Sequence, residues 1–452
     1  MLNEVFQQMC WQQYCWMLTS AQVFETTDLL AIDLLGCLAG EVCMSGLVGE
    51  VGNWVSGQRF WGREHELSLL LKLIEDGANV SIIAQRRIGK TSLMHEASEK
   101  LPQGYVGLHI DLQAAQDVSD VVVKMVTATQ TVSAIWPRIR GCFGNFFQSV
   151  KDSIESISVY EFEVQLKAGL SGNAWQDKGS QALSELAKLD KPVVLFIDEL
   201  PILIDRLLLR PDGRESVHTL LCWLRNQSQL HRGHICMVFA GSIGLEPVLG
   251  RIGLAADINH LTPFVLDPWA DDVALGCLKA LATYRNLDLS DICASKMLNL
   301  LGCNIPHHVQ LFFFNVREYC GSLGKTSVSE SDVMDVFNRR MLGTRGHAEL
   351  THMENRLLKM FTPEELPFVM EVLTQAAIAG SIRPADIREL GKRNNLSPKD
   401  YPSILPHMFD VFEHDGYLRK GCDGSYEFVS NLLRQWWKAR FETTYEPLQE
   451  RQ

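Results

Sequence analysis

From Phe60 onward the apolar positions fall into two alternating kinds of segment. Between Glu64 and Ile74, Leu67, Leu70, Leu71 and Ile74 share one face, the spacing of an amphipathic helix. Asn79 to Ala84 is short, apolar and partly β-branched, and is followed by a turn and then a helix from Lys90 to about Lys100. Val106 to Leu112, Pro192 to Ile197 and Ile235 to Ala240 read as three more strands. The last two are apolar throughout, as parallel strands covered on both faces are. Strands alternating with helices predict a doubly wound α/β domain. In the long stretch between the second and third strands, helices are expected near 115–130 and 140–155. From Val159 to Leu166 apolar residues alternate with Glu161, Glu163 and Gln165, which predicts a half-exposed strand.

Residues 268–345 read as helical throughout. Beyond 350 the pattern predicts helices over 364–377, 384–393 and near 404–413, short strands around Tyr417 and Tyr426 to Val429, and a helix from Asn431. Ser403 is the expected cap of the third helix, which would place Pro406 in the first turn, where no helical partner is lost. Three helices followed by a two-stranded wing predict a winged-helix domain. Residues 1–57 show helix-like clusters without recognisable chemistry. They read either as an extension for packing or partner binding, or as sequence upstream of a start at Met44.

A chain of 452 residues implies two or three domains. With 46 % hydrophobic and 21 % charged residues, wholesale disorder is excluded. The net charge of −12 argues against a general electrostatic grip on nucleic acid or anionic membrane, leaving room for a local basic patch. None of the 12 cysteines is spaced as CxxC or in a zinc-finger run, so they are expected as core hydrophobes in a reducing compartment. Residues 1–58 contain no Lys or Arg, unlike a secretory signal, and the apolar run 29–40 is too short and too charged to span a bilayer. A soluble, cytoplasmic protein is expected.

The strongest chemical signal is the run Ala84, Gln85, Arg86, Arg87, Ile88, Gly89, Lys90, Thr91 and Ser92, directly after an apolar strand and opening a helix. It matches the P-loop pattern G-x-x-x-x-G-K-S/T except for Ala84 at the first glycine. Successive backbone N–H groups there wrap a phosphate and the helix N-terminus adds its positive end. Lys90 is expected on the β- and γ-phosphates, the Thr91 hydroxyl on Mg²⁺, and Gly89 where a side chain would collide with phosphate. If Ala84 needs positive φ, it costs about 1 kcal/mol. Arg86 and Arg87 are candidates either for phosphate contact or for pairing with acids across the cleft.

The strand ending in Asp198 and Glu199 fits a Walker B element: the first acid holds Mg²⁺ and the second orients or deprotonates the attacking water. Ser242, just past the fourth strand, is a candidate sensor of the γ-phosphate or of the lytic water. Arg225 is a candidate arginine finger or switch, with a solvated helix arginine the favoured reading. His307 and His308 lack metal-ligand spacing and read as structural or solvated.

Phe60-Trp-Gly-Arg-Glu-His-Glu-Leu, Arg-Arg-Ile-Gly-Lys-Thr-Ser-Leu, Phe-Ile-Asp-Glu-Leu-Pro and Gly241-Ser-Ile-Gly-Leu-Glu-Pro together resemble the archaeal-type ATPases found in archaea and bacteria. These are STAND-like relatives of the AAA+ and origin-recognition ATPases. Ile258-Asn-His-Leu-Thr-Pro resembles the family's lid entry, and Phe428 to Trp437 its closing helix, so the resemblance spans about 58–441. It implies an α/β P-loop NTPase core with a parallel sheet over 58–266, a helical lid over 267–345 and a winged-helix domain over 350–445. It also implies ATP and Mg²⁺ as cofactors, and Gly62 and Arg63 near the adenine end. The lid segment Gly302 to Gln310 keeps the family's proline and glutamine but not its Gly-His-Pro-Tyr.

The leading expectation is an ATP-hydrolysing regulatory switch, with self-association or a protein partner. The alternative is a DNA-binding regulator that uses ATP as a structural ligand. Residues 361–452 hold 11 basic and 14 acidic residues, and the third helix carries Asp410 and Glu413 but no Lys or Arg. Major-groove readers present Arg, Lys, Asn or Gln there, so protein packing is favoured over DNA.

Overall fold

Side chains alternate sides along a strand, so an apolar strand in the middle of a sheet needs cover on both faces. The central strands of this protein are built that way. In the computed structural model, which describes residues 53–133, 135–143, 159–170, 172, 174–242, 244–397 and 399–450, five parallel strands form one sheet. They are β1 (Val80–Ile83), β2 (Val106–Asp111), β3 (Val193–Asp198), β4 (Ile235–Phe239) and β5 (Thr262–Val265), in the order β2-β3-β4-β1-β5. Val194, Phe196, Cys236 and Val238 point to the face covered by helices Glu64–Glu75 and Lys90–Glu99. Val193, Leu195, Ile197, Met237 and Phe239 point to the other, covered by helices that include Val118–Ala128, Ala174–Ala187, Leu200–Leu208 and Gly213–Leu230. Burial on both faces fixes the register, because a one-residue slip would exchange the two apolar sets.

Two expectations for this region are corrected. Val159–Ala168 is a helix, not a strand. Phe162, Leu166 and Leu170 are buried at intervals of four, so the helical period won over the alternation of acids. The segment 258–263, expected as a lid entry, instead leads into β5, which pairs with β1 at the edge of the sheet. Its Pro263 removes a ladder donor, which an edge strand tolerates. Of the helix expected over 140–155, Trp136–Cys142 is observed, and 144–158 lies outside the described residues, as does 1–52 with the Met44 start.

Residues 271–341 are helical, as the sequence predicts, and end in a π-helical turn, Phe337–Met341. After the helix Thr344–Met360 come three helices, Leu366–Ala379, Pro384–Arg393 and Tyr401–His414, then the antiparallel pair β6 (Leu418–Lys420) and β7 (Tyr426–Phe428), and the helix Asn431–Phe441. Tyr401–His414 begins two residues before Ser403, so Ser403 is not its cap and Pro406 lies inside the helix. Ile404, Met408, Val411 and Phe412 all face inward, around a core that holds Trp436, Trp437 and Tyr417. These apolar residues are therefore internal packing. Trp437 is fully buried and donates its indole N–H to Thr374 Oγ1 at 3.1 Å, the partner that a buried tryptophan requires.

Among the described cysteines, Cys236, Cys277, Cys293 and Cys320 are buried as expected, whereas Cys222 and Cys422 are exposed. No helix among the described residues is long and apolar enough to cross a membrane.

Candidate active site

The loop 84–89 joins β1 to the helix Lys90–Glu99. Gly89 sits at φ 102°, a left-handed value that a residue with a Cβ adopts only under strain, so this glycine sets the helix start. Ala84 is not among the residues with positive φ, so alanine in place of the first P-loop glycine carries no backbone penalty. Lys90 is 7 % exposed, and its Nζ donates to the carbonyls of Ala84 at 2.9 Å and Gln85 at 2.8 Å. Burial pushes its ammonium down to about 8, against the pull of Glu199 and Asp198.

Asp198 closes β3 and Glu199 begins the next helix at φ 60°. The Thr91 hydroxyl donates to Asp198 Oδ2 at 2.6 Å, and the Glu199 N–H donates to Asp198 Oδ1 at 2.9 Å. Both carboxylate oxygens are thereby held. Glu199 Oε2 accepts from the N–H and the Oγ of Ser242, each at 2.9 Å. Burial raises the Glu199 pKa above the usual carboxylate range, and the two Ser242 bonds work against that rise. Strain at a non-glycine left-handed residue persists only where the surroundings over-determine it, and here the Ser242 bonds and the backbone bond to Ala240 do so.

These groups line one cavity of about 770 Å³, which also takes in Arg86, Arg87 and Arg63. The expected site residues separate into three sets. Arg86 to Ser92, Asp198, Glu199 and Ser242 converge on the cavity, although the Ser92 hydroxyl also accepts from Val55 N at 3.1 Å. Arg63 lines it while its guanidinium donates to Glu66 Oε1 at 2.6 Å and to the Asp267 carbonyl at 2.5 Å. Gly62, at φ 64°, faces the helix Asp271–Tyr284, where a Cβ would stand 2.3 Å from Val273 Cγ1, so its role is close packing. Ala84 and Gln85 turn the other way. Arg225 lies beside Cys222 and His260, away from the cavity.

Sequence reasoning missed the aromatic wall of this cavity. Trp54, His95, His109 and Phe196 stack in series, with ring centroids 3.7, 4.0 and 5.0 Å apart. Burial drives His109 down to about 4 and lowers His95 as well, so the stacked imidazoles are neutral near pH 7. His307, expected as structural or solvated, also lines the cavity and is driven to about 4 by burial and by Arg87 and Arg86. His109 within β2 was the one local signal, but its stacking partners come from three other segments.

Ser242→Ala tests the restraint on Glu199. Loss of the hydroxyl bond to the charged carboxylate raises the Glu199 pKa further, so the acid limb of any pH–rate profile moves to higher pH. The expected result is an acid limb displaced to higher pH with unchanged nucleotide affinity. An unmoved pH profile would remove Ser242 from this role.

The sheet order, the loop–helix junction after β1 and the acid pair after β3 define an α/β P-loop ATPase fold of the AAA+ type. No protein-family profile matches the sequence. Two uncharacterised ATP-binding proteins of Pyrococcus abyssi are each 24 % identical to it, over 239 and 296 residues, or 49 % and 60 % of this chain. The matched regions span 65 % and 78 % of those proteins. Among solved structures, a Walker-type ATPase of Pyrococcus abyssi superposes with a TM-score of 0.56 at 16 % identity, covering 86 % of this chain and 99 % of that one. The ORC2 protein of Aeropyrum pernix superposes with a TM-score of 0.50 at 13 % identity, covering 84 % and 93 %.

Proposed function

We propose that this protein binds and hydrolyses ATP, and that the nucleotide state controls how its C-terminal region sits on the ATPase core. The observation that carries the hydrolytic reading is the convergence of Lys90, Thr91, Asp198 and Glu199 on one cavity. In this reading Arg86 to Ser92 cradle the phosphates, Lys90 neutralises their charge, and Glu199 accepts the proton of the attacking water. Thr91 and Asp198 fit a magnesium site, because their two oxygens already meet at 2.6 Å and form the hydroxyl–carboxylate pair that such an ion takes. Bound there, Mg²⁺ would supply charge neutralisation on the phosphate oxygens. The proposed division is a core over 58–266, a lid over 267–345 and a winged-helix domain over 350–445.

The regulatory part rests on a contact between the last of these regions and the phosphate loop. Gly416 lies against Gln85, where a Cβ at 416 would stand 2.4 Å from Gln85 Cδ, and His414 packs as closely on Gly244. The turn that carries both is tied down by Asp415, paired with Arg356 at 2.5 Å with both side chains largely buried. Removing one partner of a buried pair is costly, so the turn is fixed to the helix Thr344–Met360 and is held where Gly416 meets Gln85. Gly416→Val should push the turn off Gln85. We expect turnover to rise about fivefold or more, the lower end of a typical coupling between sites, without loss of ATP affinity. Unchanged turnover in a folded variant would reduce the contact to passive packing.

Several of the cations that would favour the DNA-regulator reading are engaged locally. Arg383 is 3.3 Å from Asp386, Arg393 is 3.3 Å from Glu389, and Arg419 is 2.9 Å from Glu427. Asp410 and Glu413, on the outer side of the third helix, line a cavity together with Arg251 of the helix Leu245–Arg251, so that helix is directed at the core. Both observations support internal docking of the proposed winged helix.

A further inference from the structure

Outside the lining of the nucleotide cavity, the helix Gly213–Leu230 presents His218 and Cys222 one turn apart, and the 3-10 turn Ala255–Ile258 brings Asp257 against them. The ligand atoms of the three residues all lie within 4.8 Å of one another. His218 Nδ1 is 2.7 Å from Asp257 Oδ2, and Cys222 Sγ is 3.7 Å from both imidazole nitrogens. We propose that His218, Cys222 and Asp257 form a binding site for a borderline-soft divalent ion, with Zn²⁺ the best match, and with the fourth position left to water.

The ligand set selects the ion. Thiolate and imidazole reject Mg²⁺ and Ca²⁺, which take hard oxygen ligands, and one carboxylate with one nitrogen and one sulfur suits tetrahedral Zn²⁺. Metal–ligand lengths of about 2.0 Å to nitrogen and oxygen and 2.3 Å to sulfur give tetrahedral edges of about 3.3 Å for N···O and 3.5 Å for N···S. The present 3.7 Å between sulfur and nitrogen already matches its edge. The 2.7 Å between nitrogen and oxygen must open by about 0.6 Å as the imidazole turns and the ion replaces the hydrogen bond. His218 and Cys222 are exposed, so this needs only side-chain rotation.

The backbone beneath the ligands is fixed. Val217, Leu221, Leu254 and Ile258 are buried, and Arg214 Nε donates to the Ile252 carbonyl at 3.0 Å, which ties the same helix to the same segment a second time. Charge also balances. On binding, the Cys222 thiol gives its proton to solvent, and thiolate plus carboxylate cancel the two positive charges of the ion. The ion would staple the Gly213–Leu230 helix to the segment that leads into β5, the neighbour of the phosphate-loop strand.

The test uses the full chain, kept reduced, with Co²⁺ as the absorbing probe and Zn²⁺ as competitor. Expected is a thiolate-to-cobalt charge-transfer band with tetrahedral visible bands, displaced by Zn²⁺, abolished in Cys222→Ser and retained in Lys90→Ala. His218→Ala and Asp257→Asn should each weaken Co²⁺ binding by at least about tenfold, as loss of a ligand does. A band that persists in Cys222→Ser would assign the metal to another of the 12 cysteines and overturn the proposal. So would a reduced full chain that shows no thiolate–cobalt band.

Discussion

Glu199→Gln should lower ATP turnover by at least about a hundredfold while leaving ATP affinity within a few-fold of the parent protein, the usual scale for removing a positioned general base. Glutamine keeps the shape of the side chain and can still accept from Ser242 N and Oγ through its amide oxygen, so the loop after β4 should hold. What disappears is an acid whose carboxylate is anchored by Ser242 and raised in pKa by burial. Asp198 differs in kind: its oxygens are occupied by Thr91 and by the Glu199 N–H, so Asp198→Asn should weaken the dependence on Mg²⁺ as well as turnover. Single-turnover assays with radiolabelled ATP, alongside calorimetric binding, separate the two effects. Full activity in Glu199→Gln would move the base elsewhere and favour a non-hydrolytic role for the nucleotide.

Lys90→Ala should reduce affinity for Mg-ATP by at least about a hundredfold, the equivalent of two charge-assisted hydrogen bonds to phosphate. It should not unfold the protein. Burial holds the Lys90 ammonium at about 8 against the ordinary lysine value of 10.5, so the folded state disfavours its charged form. A group with a depressed cationic pKa opposes folding below its folded pKa, and that opposition fades as pH rises from about 8 toward the unfolded value. Thermal melts of the nucleotide-free variant near neutral pH should therefore show no loss of stability. The same value sets a binding signature for the parent protein. Phosphate favours the charged lysine, so ATP affinity should be flat below pH 8 and fall as pH rises above it, with proton uptake on binding. Calorimetry in buffers of different ionisation heat reads that uptake directly. Undiminished ATP binding in folded Lys90→Ala would remove the phosphate-loop assignment.

The parts of this site that could be read from sequence were those built from contiguous residues. A strand, a glycine at a forced left-handed turn and Lys-Thr-Ser opening a helix all lie within 80–92, and the acid pair directly follows an apolar strand, so local pattern and final position coincide. The helix Pro384–Arg393 was placed to the residue because proline favours the first helical position. What sequence hid depended on packing. β5 is four residues long and carries Pro263, so only its place at the sheet edge makes it a strand. The Val159–Ala168 helix was disguised by alternating acids, because its buried positions become apparent only against the elements that cover them. The role of Ser242 as a restraint on Glu199, and the seating of Gly416 on Gln85, join residues 43 and 331 positions apart, beyond the reach of any periodicity. Likewise, His218 and Cys222 have a helical spacing that can be read in the chain, but Asp257 comes from another segment.

The most direct test of the account is steady-state ATP turnover by the purified full chain in Mg²⁺, measured with and without duplex DNA at low salt. The account predicts turnover that requires Mg²⁺, disappears in Glu199→Gln and is unchanged by DNA, since the third C-terminal helix faces the core and Arg383 and Arg393 are paired with acids of the helix Pro384–Arg393. No turnover in either condition, or turnover that appears only with DNA and fades as salt is added, would contradict it.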